Sequence, residues 1–96
     1  MLLASTVFAT ANPRFDAYID DACSPRVYRL EDWLDCRHVI ERYRIVKGAA
    51  FTTDSCIEAG NVRAWFLRWR AEYDVRAWTA IRDIECQLIG KQRHND

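Results

Sequence analysis

The residues whose type and spacing most constrain the chemistry of this chain are its four cysteines, Cys23, Cys36, Cys56 and Cys86. A cysteine can be a nucleophile, a metal ligand or half of a disulfide, and spacing separates these roles. The intervals are 13, 20 and 30 residues, and no CxxC pair occurs. A zinc ribbon and a thioredoxin-type redox site both need close pairs, so neither is written here. An even count in a chain of 96 residues suits two disulfides, and disulfides persist in oxidising compartments.

The other reactive groups form no catalytic set. There are two histidines, His38 and His94, and His94 sits in a polar tail. Cys36 and His38 are two residues apart, and i and i+2 point to different sides of a helix. His38 therefore has no positioned nucleophile to serve as base. Asp20, Asp21, Glu31, Asp32 and Asp35 cluster, but without the alternating oxygen ligands of a calcium loop. Zinc held by His38 with the scattered cysteines would lack a close chelating pair. No glycine-rich phosphate loop and no nucleophile elbow is present. The expectation is a non-enzyme with no catalytic residue, metal or cofactor, and no small-molecule substrate.

Binding chemistry is better represented. Between Arg63 and Trp78 the chain carries Arg63, Arg68, Arg70 and Arg76 among Trp65, Trp69 and Trp78. Arginine and tryptophan are favoured anchors of protein interfaces. Most of these aromatics are needed for a core. Arg63, Leu67 and Arg70 stand apart from it, at i, i+4 and i+7, so they form one stripe on a helix. An apolar residue between two guanidiniums can anchor a protein partner. Leu34 is a second apolar residue on a charged face. Lys+Arg and Asp+Glu both number 14, for a formal net charge of zero. That argues against sequence-independent nucleic-acid binding, which depends on cation–phosphate contacts.

The elements that must position these residues read as helices. Half the residues are hydrophobic, no apolar run is long enough to span a membrane, and 96 residues make one domain. Residues 12–24 read as an irregular lead-in, with one helical turn around Phe15, Tyr18 and Ile19. Ser24-Pro25 looks like the start of a first helix that ends at Gly48. Trp33, Cys36, Ile40 and Tyr43 line one face of it, with Val39 and Val46 at the edge; Arg37 and Glu41 are an i,i+4 pair.

A capping box at Ser55-Cys56-Ile57-Glu58 opens a second helix, with the seam Ala59, Val62, Phe66, Trp69 and Tyr73, widened by Trp65. Arg68 and Glu72 pair beside it. Asp74 caps a third, with Ala77, Trp78, Ile81, Ile84 and Leu88 inward and Gly90 as its stop. A strand over that third segment is the alternative, although Arg82 spoils its alternation. The fold expected is all-α, a three-helix up-down-up bundle over 12–96 stapled by two disulfides. Cys23–Cys36 with Cys56–Cys86 strains it least, although Cys86 then points away from the third seam.

Residues 1–11 are uncharged and small-to-apolar and end in Ala9-Thr10-Ala11. They read either as the remnant of a secretory signal peptide or as an N-terminal docking segment. The combined expectation is a small protein-binding factor of the cell envelope or exterior, periplasmic or secreted. An inhibitor, an immunity protein and an accessory subunit all fit that description. The alternative is a cytosolic, phage-borne regulator that binds a host protein or a nucleoprotein complex with its thiols free.

Overall fold

The computed structural model describes residues 12–48 and 53–94, with side chains placed up to residue 88. The N-terminal segment 1–11, with both of its readings, lies outside the described residues. The described residues form four helices: α1 (Pro13–Ala22), α2 (Leu30–Gly48), α3 (Thr53–Arg68) and α4 (Glu72–His94). The described residues contain no strand, so the strand reading of the third segment is not borne out. α2, α3 and α4 run up, down and up as expected. The helix count of three was one short.

The missing helix is α1, in place of the irregular lead-in. The Asn12 side chain accepts from the backbone N–H groups of Arg14 (3.0 Å) and Phe15 (3.2 Å), and Pro13 follows at the first position. That is a full N-cap with its proline. Phe15, Tyr18, Ile19 and Ala22 then all face the core, and Ile19 is buried.

α2 begins five residues later than its proline signal suggested. Ser24 still caps, accepting from Arg26 N–H at 3.1 Å, but only one turn follows before the chain breaks. The disulfide explains the break. A helix unbroken from Pro25 would hold Cys23 roughly 15–20 Å from Cys36. Instead the chain folds back, and these Cα atoms lie 5.5 Å apart. α1 then runs antiparallel along α2, tied by ion pairs from Asp20 to Arg37 and from Asp16 to Arg44. Arg37 and Glu41 thus take other partners, Asp20 and Arg44, rather than each other.

The core joins Ile19 and Cys23 of α1 and its cap to Cys36, Val39, Ile40 and Tyr43 of α2. Ala59, Val62, Trp65 and Phe66 of α3 and Trp78 of α4 complete it. Trp69 and Tyr73, expected in the α3 seam, are 41% and 78% exposed. The helix ends at Arg68, so its periodicity stops before it reaches them. Arg68 and Glu72 are for the same reason not an i,i+4 pair; Arg68 approaches Asp35 at 3.9 Å instead. Gly60, which a methyl would fit with only a 3.8 Å contact to the Arg82 stem, neither breaks α3 nor admits a neighbour. Gly90 does not end α4, which continues to His94.

α4 is turned differently from its hydrophobic pattern. Ala77, Trp78 and Ile81 of the expected face do pack on the core, but Ala71 and Val75 join them, Glu85 is buried at 5% exposure, and Ile84 is exposed. At about 100° per residue the buried face is rotated to one side of the one expected and overlaps it. The rotation brings Cys86 beside the core, where its Cα lies 4.8 Å from that of Cys56. Both expected disulfides are therefore present, and no described cysteine is free. Loops of these lengths correspond to about 3 kcal/mol of stabilisation for the first and nearly 4 for the second, by restriction of the unfolded chain.

Glu85 is satisfied from two helices. Tyr43 OH donates at 2.9 Å, Lys47 Nζ lies at 2.8 Å, and Ser55 Oγ donates at 3.2 Å. Burial alone would raise its carboxyl pKa; the bonds from Lys47, Tyr43 and Ser55 outweigh that and hold it below the ordinary glutamate value. Burial and the bond to Glu85 raise the Tyr43 hydroxyl above its ordinary range. A second chain runs from Trp78 Nε1 to Tyr18 OH (2.8 Å) and on to Asp74 (2.7 Å). Burial, then the Asp74 acceptor, raise the Tyr18 hydroxyl as well.

Two predictions follow from this packing. Trp78→Ala should cost about 3–5 kcal/mol, as for other large-to-small core changes, and Trp69→Ala clearly less, in denaturant melts. Because the folded-state pKa of Glu85 is depressed, its stabilisation is present above the ordinary value, about 4.3, and is lost as pH falls below it. Glu85→Gln should lower the denaturation midpoint at neutral pH and flatten its fall in acid. An unchanged acid limb would assign that limb to other carboxylates.

Candidate functional site

Where α3 meets α4 the chain makes a tight, well-bonded corner. Ala71 N–H donates to Phe66 O at 3.0 Å, and Arg70 N–H donates to Leu67 O at 3.1 Å. These are the two bonds of a Schellman motif, in which the residue after the cap is left-handed. That residue is Arg70, with φ of 59°, and it is the one described non-glycine residue with positive φ. Glycine is the usual occupant, because a side chain costs about 1 kcal/mol in this conformation. Ala71 packs on the core next to Phe66 and completes the motif.

The corner borders a cleft of about 320 Å³ lined by Leu67, Arg70, Glu72, Val75 and Arg76. Leu67 is 52% exposed and Val75 half-buried, which makes the floor apolar. Of the stripe read from the sequence, Leu67 and Arg70 are therefore brought together. Arg63 is not free in the same way: it is half-buried, and its Nε donates to Thr79 Oγ1 on α4 at 2.7 Å. It pins the two helices along the same face. Val75, Arg76 and Glu72 belong to the site and could not be read from one helix, because α4 contributes them.

Arg37, Arg42, Arg44, Arg68 and Arg82 each have a carboxylate within 4 Å. Among the described residues, Arg14, Arg26, Arg29, Arg63, Arg70 and Arg76 have none, and of these Arg70 and Arg76 line this cleft. Glu72 is the single acidic group of the lining. A second cleft, of about 360 Å³, lies between α1, α2 and α4, but its cations are engaged: Arg44 by Asp16 and Glu41, Lys47 by Glu85. Leu34 is 39% exposed and lines no described cleft.

Tyr28 meets Trp65 and Trp69 edge-on, at 5.1 and 5.6 Å between ring centroids. Trp65 is core and donates its Nε1 to Asp35 at 2.8 Å. Trp69 thus covers the core with one edge and faces solvent with the other, beside Arg70. His38 is exposed on the polar face of α2. With all four cysteines bonded, no thiolate is available to pair with it or to bind zinc. Comparison with family models, with curated proteins and with solved structures finds no match to this chain.

Arg70→Gly should relieve the left-handed conformation and raise stability by about 0.5–1 kcal/mol in denaturant melts. A loss of stability would show that the guanidinium makes a contact needed by the fold.

Proposed function

We propose that this is a small, non-enzymatic protein that binds another protein, acting in an oxidising compartment of the cell envelope or exterior. Inhibitor, immunity factor and accessory subunit are the roles that fit such a factor. The observation that carries the reading is the cleft at the α3–α4 corner. Its apolar floor is exposed, its arginines are unpaired, and one arginine occupies a position where glycine would be more stable. A backbone position that carries strain for the sake of a side chain suggests that the side chain has work outside the fold.

The compartment is inferred from chemistry. Two bonded cysteine pairs suit an environment that keeps disulfides oxidised. No helix among the described residues is long and apolar enough to cross a membrane. The stapled frame also suits the small core, which by itself supplies little stability margin.

The test is recovery of the partner from the native host, using wild-type protein and the double variant Leu67→Ala, Arg70→Gly in parallel. A protein retained by the wild type and lost by the variant is the expected result. Equal retention by both, with the fold intact, would remove the cleft as the binding surface. Intact mass with and without reductant on the native protein checks the compartment. Each disulfide should add two hydrogens on reduction, and free thiols would favour the cytosolic regulator.

A further inference from the structure

We infer that the α3–α4 cleft takes an acidic segment of a protein partner, seating one apolar side chain on Leu67 and Val75 while flanking carboxylates meet Arg70 and Arg76. This rests on the protein-binding reading above and names the chemistry of what is bound.

Charge decides the sign of the occupant. Arg70 and Arg76 are exposed, line the cleft, and have no carboxylate partner among the described residues. Arg63 stands on the same face with only its Nε engaged, by a neutral hydroxyl. A guanidinium has five donors, so its terminal nitrogens can still receive an acid. The two guanidiniums of the lining outnumber its one carboxylate, Glu72, so the cleft carries a positive excess although the chain as a whole is neutral. Arginine meets a carboxylate through two parallel hydrogen bonds, which gives direction as well as attraction.

The comparison with another cleft supports the choice. Arg26 is also unpaired among the described residues, but its cleft is lined by Asp20 and Asp21, which already supply negative charge. At the α3–α4 corner the balance is reversed, and an exposed leucine shares the cleft with the arginines.

The floor and Glu72 decide the class of occupant. Leu67 and Val75 offer a contact that a sugar–phosphate backbone does not use, while an aliphatic or aromatic side chain does. Glu72 would repel a phosphate backbone wherever it passes, whereas a peptide can place a neutral or donor group opposite it. The Schellman corner supplies rigidity. Arg70 starts from a backbone held by two hydrogen bonds, so less freedom is lost when its side chain is engaged.

The probe is a display library of short random peptides, selected on the disulfide-intact protein. Each selected peptide is then measured on the variant Arg70→Gly, Arg76→Gln and, separately, on Leu67→Ala. The expected result is enrichment of sequences with an apolar residue flanked by Asp or Glu. Their affinity should fall about tenfold or more on the double arginine variant, and should weaken as salt rises. Both variants must unfold cooperatively, and Arg70→Gly is chosen because the corner accepts glycine.

Enrichment of neutral or basic peptides that depend on Leu67 but not on the arginines would overturn the acidic segment while leaving protein binding in place. No enrichment that differs between wild type and variant would overturn it too. Tight, arginine-dependent binding of a mixed-sequence single-stranded oligonucleotide would assign the guanidiniums to phosphate and overturn it. Failure of the broader reading would appear elsewhere, in the recovery of partners from the host.

Discussion

A carboxylate buried on the last helix determines how the bundle closes. A charge taken out of water must be met by donors or it destabilises the fold. Glu85 is met by Tyr43 and Lys47 of α2 and by Ser55 of α3. Those three donors lie on two helices, so they fix α4 in both height and rotation. Trp78, two turns earlier on the same face, then enters the centre of the core, where it meets the Tyr43 ring edge-on at 5.0 Å and donates to Tyr18. The same rotation sets Cys86 beside Cys56. The ion pair, the largest buried side chain and the longer disulfide are thus consequences of one helix orientation.

The first helix depends on a different constraint. Ten residues are too few to hold a helix in water without tertiary contacts. α1 is held at one end by the Cys23–Cys36 bond and along its length by Ile19, by the Tyr18 hydroxyl and by ion pairs to α2. It lies across α2 and α4, and covers core that a three-helix arrangement would leave open. The disulfide costs α2 its first turn, because the chain between the two cysteines has to reverse. For a chain of this size, restricting the unfolded state is an efficient route to stability.

At the opposite corner the structure is tight but the chemistry is left open. The helix end is fully bonded through its backbone, and it carries an arginine where glycine would relieve the conformation. Arg37, Arg42, Arg44, Arg68 and Arg82 are paired with acids, whereas Arg14, Arg26 and Arg29, like those of the corner, are not. The corner draws attention to Leu67, Arg70, Val75 and Arg76 because it joins two unpaired arginines to an apolar floor in one cleft. It also explains why Trp69 and Tyr73 sit outside the core: a corner at residues 69–71 releases both from the helical stripe that ends at Phe66.

The sequence by itself determined the helical class and most of the inward faces of α2 and α3, and it favoured the cysteine pairing that is found. These follow from local spacing, apolar residues at 3.6-residue periods and four cysteines with no close pair, whereas the caps expected at Ser55 and Asp74 lie inside α3 and α4, which begin at Thr53 and Glu72. It also marked Leu67 and Arg70, because a leucine off the seam between arginines is visible on a helical wheel. Only the tertiary structure decided where α3 stops, that residues 13–22 are a helix, that Glu85 and not Ile84 is buried on α4, and that Arg63 is tied to Thr79. Each of these depends on partners far away in the chain. Periodicity treats a glutamate as an outward residue, and only three donors brought from α2 and α3 make its burial favourable. A cleft shared by two helices has no signature in either one alone, so Val75 and Arg76 joined Leu67 and Arg70 only when the chain had turned the corner.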